Sequence, residues 1–238
     1  MRTADQILSS LLSEDRGSRA LPARLCSQCM EVLPVNGVGL ALMNDAGHQG
    51  VVAATDGPAR LMEELQFTLG EGPCLDASRR RRPVLEPDLA LSADTRWPAF
   101  GPAVLEAGIA AIFAFPLHIG AIRLGILDLY RATPGPLDAE QLAEALAYGD
   151  AAALILLRMQ SKMPPDGELH PLLGDSVHSH AEVHQATGAV AVQADVTLTE
   201  AFLLLQARSY AADRPMLEIA RDVLGGTLRF NLKEDNHE

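Results

Sequence analysis

Hydrophobic positions in the first 160 residues follow two different spacings. Apolar residues recur every three or four positions in five segments, which predicts helices at about 6–12, 21–33, 60–66, 97–107 and 137–160. Runs rich in branched or aromatic residues predict strands at 38–43, 50–55, 84–85, 109–117 and 122–130. The turn sequences Asn44–Gly47 and His118–Ala121 join neighbouring strands into two hairpins. This order of elements predicts a mixed α+β domain over residues 1–160.

Glycine and proline mark where these elements end. The backbone of Leu69–Pro73 cannot continue a helix, which predicts a tight loop. Gly125, inside the last strand, predicts a bulge or a close approach. Three prolines and two glycines interrupt Ser161–Asp175, so we assign residues 161–176 to a linker. Three helical patterns without strands follow, which predicts a small all-α domain over 177–238 with helices at about 177–193, 198–211 and 215–223.

Composition narrows the class of protein. With 48% hydrophobic residues and 21% charged residues, the chain can bury a sizeable core. Its net charge of −12 argues against a protein whose whole surface binds nucleic acid or anionic lipid, although Arg79–Arg82 forms a dense local run of positive charge. Three cysteines are too few for a disulfide scaffold. The chain shows no signal peptide, and its longest apolar runs are shorter than the ~20 residues of a bilayer span. We therefore expect a cytoplasmic protein without a membrane segment.

The last part of the chain resembles a known RNA-binding module. His184–Phe230 resembles the ANTAR domain, an antitermination module of bacterial regulators. The resemblance rests on a Gln-Ala-x-Gly pattern, a small residue opening the second helix, a Tyr-Ala pair and an Arg-Pro-x-Leu-x-x-x-Ala run. These are Gln185, Ala186, Gly188, Ala201, Tyr210, Ala211, Arg214, Pro215, Leu217 and Ala220.

The N-terminal part resembles a GAF sensor domain of the actinobacterial type that precedes ANTAR domains. The similarity lies in four segments, which are Leu25–Leu40, Phe67–Ala77, Arg96–Phe100 and Phe113–Leu137. The two resemblances together imply an α+β fold with a GAF-like antiparallel sheet flanked by helices, followed by a three-helix ANTAR-like domain. They also imply a dimeric, signal-responsive regulator that binds paired stem-loops in nascent RNA.

Recognition of RNA hairpins needs cations for phosphates and polar or stacking groups for loop bases. The candidate RNA-binding residues are Thr187, Gln206, Arg208, Tyr210, Arg214, Arg221 and Arg229. Thr187 and Gln206 stand where many members of the family carry Lys and Arg. Residues 177–238 contain five Lys or Arg against nine Asp or Glu, so we expect few phosphate contacts and a shallow salt dependence. This acidic balance favours an alternative, a GAF-based dimer whose helical tail binds a protein partner and not RNA.

Most aromatic residues lie in the GAF-like region, where they either line a small-molecule pocket or fill the core. The candidate pocket residues are Phe67, Cys74, Asp76, Arg96, Trp97, Phe113, Phe115, His118 and Tyr130. The ligand itself has no recognisable motif. We interpret Cys26 and Cys29 as buried thiols, and a thiol-sensing role for Cys74 is a further alternative.

Catalytic motifs are missing from the sequence. It contains no P-loop, dinucleotide-binding, zinc-protease or serine-hydrolase pattern, and Glu71 and Asp128 read as isolated acids. We expect a protein that is not an enzyme and that uses no cofactor or metal.

Overall fold

The computed structural model describes residues 2–13, 21–44, 47–161, 174–212 and 214–230. Contacts within the chain divide it into two compact units, residues 1–174 and 175–238. The elements of the first unit are α1 (Ala4–Ser13), α2 (Leu21–Val32), β1 (Gly37–Asn44), β2 (Gly47–Ala54), α3 (Gly57–Leu69), α4 (Pro73–Arg80), β3 (Val84–Glu86), α5 (Leu89–Arg96), α6 (Phe100–Glu106), β4 (Ala111–Ile119), β5 (Ile122–Arg131) and α7 (Ala139–Ser161).

The five strands form one antiparallel sheet in the order β2-β1-β5-β4-β3. Both predicted hairpins are confirmed, as β1–β2 and β4–β5. Gly125 lies where β5 is flanked by β1 and β4, and a Cβ there would lie 2.7 Å from Leu156 Cδ1 and would also meet the carbonyl of Ala41. The predicted close approach at Gly125 is therefore confirmed.

Helices cover both faces of the sheet. On one face α7 packs against β4 and β5, and α1 and α2 pack against α7. On the other face α3 packs against β1 and β2, and α4 packs against β3, β4 and β5. Because side chains alternate along a strand, Ile112 and Ala114 enter the core beneath α3–α6, whereas Phe115 and Leu117 lie against Gly149 of α7.

Two helices of the first unit differ from the prediction. The segment that begins at Pro73 forms α4, and Leu89–Arg96 forms α5, and each of these helices has only eight residues. Both begin with identifiable N-terminal signals: Pro73 is the first residue of α4, and the Asp88 side chain accepts a hydrogen bond from Ala90 N. The predicted helix at 97–107 begins at Phe100, as α6.

The regular elements within the described residues of the second unit are helices, α8 (Gly174–Ala194), α9 (Leu198–Ala212) and α10 (Met216–Leu224). Thr197 and Glu200 cap the start of α9, where the Glu200 carboxylate accepts hydrogen bonds from the backbone N–H and the hydroxyl of Thr197. Val183, Leu205 and Ile219, one from each helix, are buried. Most of the predicted linker, residues 162–173, lies outside the described residues.

Candidate functional site

The start of α3 is fixed by two carboxylate contacts of one residue. Asp56 is the N-cap of α3, and its Oδ1 accepts a hydrogen bond from Ala59 N at 2.7 Å. Its other oxygen accepts a hydrogen bond from the Tyr130 hydroxyl, also at 2.7 Å. Because Tyr130 belongs to β5, this pair ties the helix to the centre of the sheet.

A buried polar centre lies between α3 and the sheet. Glu63 and Gln66 lie one turn apart on the buried face of α3, and Asp128 lies at an inward-facing position of β5. All three side chains are fully buried. Gln66 Nε2 donates a hydrogen bond to Asp128 Oδ2 at 3.0 Å. Glu63 and Asp128 interact directly through their carboxyl groups, so the acid that the sequence presented as isolated has a partner.

A glycine of β1 makes room for this centre. Gly39 is the register partner of Asp128, and a Cβ on Gly39 would lie 2.9 Å from the Glu63 carboxyl carbon and would collide with its Oε1. Any side chain at position 39 would therefore displace Glu63 from the sheet.

The loop Leu69–Pro73 lies next to the polar centre, and its contacts fix the end of α3 and the starts of α4 and α6. Gly70 ends α3 in the left-handed conformation, with φ 65°. Gly72, with φ 129°, lies so close to Gln66 that a Cβ would lie 2.5 Å from its Oε1. That same Oε1 accepts a hydrogen bond from Cys74 N at 2.8 Å, at the start of α4. The Glu71 carboxylate accepts hydrogen bonds from Ala99 N and Phe100 N, which secures the start of α6.

Burial controls the protonation of this centre. Loss of hydration raises the pKa of Glu63 from 4.5 to about 8, and it raises the pKa of Asp128 well above its usual range, with the nearby Glu63 charge as the next cause. Two adjacent carboxylates in a dry core repel each other. The centre therefore holds at least one proton at neutral pH.

The predicted pocket residues divide between the two faces of the sheet. Cys74, Trp97 and Tyr130 belong to the buried cluster beneath α3–α6. Phe113 and Phe115 alternate with residues of that cluster and therefore lie on the α7 side, with the Arg131 guanidinium 5.5 Å from the Phe113 ring centre. One cavity cannot be lined by all nine residues, because the sheet separates them.

The remaining members of that set have different surroundings. Arg96 joins Asp76 and Glu86 through ion pairs and lies 4.2 Å above the Trp97 ring, so three of the predicted residues do converge. Phe67 is buried on α3. His118 is exposed at the end of β4, beside Arg123 of β5, away from the buried cluster.

Two clefts of about 420 and 400 Å³ lie near the start of α7. Arg131, which lines the smaller cleft, donates hydrogen bonds to the carbonyls of Pro34, Gly135 and Pro136 and to Gln141 Oε1. This saturated guanidinium holds loops together and leaves little capacity for a ligand.

The fold and the comparisons with known proteins agree on one family. Residues 19–156, more than half of the chain, match the family described as GAF domain. The chain belongs to the GAF domain family. This match ends just before residue 160, where the sequence predicted the end of the first domain.

Solved structures resemble this chain at low identity. The GAF domain of an Acinetobacter phosphoenolpyruvate-protein phosphotransferase is 12% identical, covering 68% of this chain and 95% of that one, with a TM-score of 0.50. A GAF domain of the same kind of protein from Coxiella burnetii is 19% identical, with coverages of 67% and 96% and a TM-score of 0.48. A free methionine-R-sulfoxide reductase from Thermoplasma acidophilum is 16% identical, with coverages of 57% and 89% and a TM-score of 0.45. A comparison with curated proteins found no match.

The candidate residues of α8 and α9, in the unit that follows the GAF domain, differ in exposure. Thr187 is buried, and its hydroxyl donates a hydrogen bond to Val183 O at 2.7 Å, so its side chain belongs to the packing of α8. Gln206 is half-buried on α9. Tyr210 is 68% exposed, and Arg208 is exposed on another side of the same helix.

The arginines of α10 are engaged by acids of their own unit. Arg214 pairs with Glu218 at 3.1 Å and with Asp222 at 2.8 Å, and Arg221 pairs with Glu182 of α8 at 2.7 Å. These contacts raise the pKa of both arginines. Two cations therefore face three anions, so this side of the unit is not positively charged. Arg229 is exposed, beyond the end of α10.

None of the helices in the described part of the chain combines the length and the apolar character needed to cross a membrane.

Proposed function

We propose that this GAF-domain protein is a cytoplasmic, signal-responsive regulator whose C-terminal helices bind stem-loops in nascent RNA and prevent transcription termination. The resemblance of residues 184–230 to the ANTAR module is the starting point. The observation that supports it most directly is the outward face of α9. Leu203, Gln206 and Tyr210 recur there at helical spacing, and Tyr210 is 68% exposed. A phenol ring in that position is available to stack on an unpaired loop base.

Few cations are available for phosphates in this unit. Among its four arginines within the described residues, Arg214 and Arg221 are neutralised by acids. Arg208 and Arg229 have no acidic partner in the described part of the chain. Two phosphate contacts give a slope of log affinity against log salt of about −1.4 for single strands to about −1.8 for duplexes. The proposal therefore requires base stacking to provide much of the affinity.

Signalling would start in the GAF domain. We propose that a signal alters the packing of α1, α2 and α7 in a homodimer and so shifts the population of binding-competent molecules. Large apolar side chains that remain exposed on these helices support such an interface. They are Leu12, Val32, Leu146 and Leu157, each between 41% and 58% exposed. The activity is regulatory and needs no catalytic step.

Titration of the full-length protein with a fluorescein-labelled RNA of two stem-loops tests the proposal. Tyr210→Ala should weaken binding by ~5- to 150-fold, because stacking on one base contributes about 1–3 kcal/mol. Tyr210→Phe keeps the ring and should bind like the wild type. Absence of binding at low salt, or equal affinity of the Ala and Phe variants, would overturn the proposal.

A second function is favoured by the same face of α9. Leu203 is 56% exposed and lies next to Ala207 and Tyr210, which makes the face apolar enough to bind a protein partner. This alternative predicts that RNA does not bind and that Leu203→Asp abolishes association with the partner. The RNA titration separates the two functions directly.

A further inference from the structure

The GAF domain contains a cluster of positive charge that its fold does not require. Arg79 and Arg80 form the last turn of α4, and Arg81 and Arg82 follow it. All four side chains are exposed. Cations in a final helical turn stabilise the negative end of the helix dipole, which accounts for the first two arginines. Arg81 and Arg82 lie beyond that turn and need another explanation.

The run lies beside the turn between β4 and β5. Arg81 ends α4 in the left-handed conformation, with φ 52°, which is unusual for a residue with a side chain. Its guanidinium donates a hydrogen bond to Ala121 O, in the turn between β4 and β5, at 3.3 Å. Next to this turn, Arg123 of β5 is the register partner of His118 of β4. We call the exposed run Arg79–Arg82, which Arg81 fastens to this turn, the arginine patch.

Of the four arginines Arg79–Arg82, one has an acidic partner within the described residues. Asp76 pairs with Arg80 at 3.1 Å, and the same oxygen also pairs with Arg96 at 3.2 Å. Within the described residues, Arg79, Arg81 and Arg82 have no acidic partner. An accumulation of unpaired guanidinium groups on a chain of net charge −12 indicates an anionic partner.

We propose that the arginine patch binds the phosphate backbone of the RNA recognised by this protein. The inference rests on the proposed function and adds to it the site of the missing phosphate contacts. Guanidinium groups match phosphate oxygens with paired hydrogen bonds, and the run contains Arg without Lys. The C-terminal unit neutralises two of its own arginines, so the charge that attracts RNA is concentrated in the GAF domain. Because both surfaces belong to one chain, binding at one raises the effective RNA concentration at the other.

Salt-dependent titration of the full-length protein tests this inference with the same labelled RNA. The double variant Arg79→Gln/Arg82→Gln should lower the magnitude of the salt slope by about 1.4 to 1.8, at ~0.7–0.9 per arginine, and weaken binding at low salt. Arg60→Gln, a change of one exposed arginine on α3 outside the patch, should leave the slope unchanged. Emission of Trp97, the single tryptophan, verifies that each variant is folded.

The outcomes separate the two proposals. If RNA binds and Tyr210→Ala weakens it while the double variant keeps the wild-type slope, the proposed function stands and the inference about the patch is wrong. If the wild type binds no RNA at low salt, both are wrong. A parallel titration with labelled poly-glutamate covers the acidic-protein alternative. If Arg79→Gln/Arg82→Gln weakens binding of that polymer but does not change RNA binding, the patch belongs to a protein partner and the inference is overturned.

Discussion

Replacing Glu63 with glutamine should make the GAF domain less sensitive to alkaline pH. Glu63 is fully buried beside Asp128, and burial raises its pKa from 4.5 to about 8. In the unfolded chain the same group ionises near its ordinary pKa. The native state therefore binds more protons between these two values, and stability falls as the pH rises. The stabilisation that protonated Glu63 contributes is complete below about pH 4.5 and is lost as the pH rises through about 8.

The magnitude follows from the pKa shift. One pKa unit corresponds to ~1.36 kcal/mol, so ionisation of Glu63 should lower the free energy of unfolding by roughly 3 to 4 kcal/mol between pH 5 and pH 8. In Glu63→Gln the introduced amide can donate a hydrogen bond to the Asp128 carboxylate, and the variant loses the Glu63 charge that raises the pKa of Asp128. The variant should match the wild type within about 1 kcal/mol at pH 5 and exceed its stability at pH 8.

Urea unfolding at several pH values, followed by Trp97 emission, measures this effect. Trp97 is the single tryptophan and is buried in the GAF domain, so its signal reports that unit. Glu106→Gln is the control, because it removes a carboxyl group from an exposed position of α6. Its pH dependence should stay close to that of the wild type. If Glu63→Gln loses as much stability as the wild type between pH 5 and pH 8, the buried acid pair does not titrate as argued here.

Three further predictions concern the loop, the thiol and the charged face of α10. Gly72→Ala should lower the free energy of unfolding of the GAF domain in urea by at least about 2 kcal/mol, because its φ is 129° and the new Cβ would meet buried atoms. Gly57 has open space around it, so the control Gly57→Ala should change stability by less than ~1 kcal/mol. Cys74 is fully buried, and burial raises the pKa of its thiol. Iodoacetamide should therefore modify Cys74 only after the protein is unfolded in urea. Rapid labelling of Cys74 in the native protein would support a thiol sensor instead. Glu218→Gln releases one of the two acids that bind Arg214 and should steepen the salt slope of RNA binding by up to ~0.7, and an unchanged slope would mean that this arginine does not face RNA.

Periodicity predicted the elements with strong patterns and missed those stabilised by packing. The hairpins β1–β2 and β4–β5 and the long helix α7 follow from alternation and helical spacing. Helix α4 buries Cys74, Leu75 and Ala77 against the sheet, but its eight residues are too few for helical spacing to repeat. Helix α5 has a recognisable cap at Asp88, and that cap was the signal available for it.

The polar centre could not be found from spacing, because its members are far apart in the chain. Gln66 and Asp128 are 62 positions apart, and their contact depends on how α3 lies across β5. A weaker signal was available. Asp128 occupies an inward position of β5 between Ile126 and Tyr130, and Glu63 lies on the buried stripe of α3. When two neighbouring elements each carry an acidic residue at a buried position, the two acids are expected to share one site.

The C-terminal unit shows the opposite limit. The sequence predicted its three helices and its excess of acidic residues, but it did not show which arginines those acids engage. Arg221 meets Glu182, 39 positions away, only because α8 and α10 pack together. Thr187 was expected at an RNA-facing position, yet its hydroxyl is used within α8. The number of arginines in the sequence therefore exceeds the number of unpaired guanidinium groups on the surface, because ion pairs within the unit neutralise some of them.

Helix α4 connects the buried polar centre of the GAF domain to the arginine patch. Its first turn is held over the polar centre by the hydrogen bond from Cys74 N to Gln66 Oε1. Its last turn begins the arginine patch, which Arg81 fastens to the β4–β5 turn. A helix of eight residues is about 12 Å long and moves nearly as a rigid rod. Gln66 also donates a hydrogen bond to Asp128, so a change in the protonation of the acid pair reaches the base of α4 through two hydrogen bonds. These contacts place the buried acids and the arginine patch at opposite ends of the same short helix.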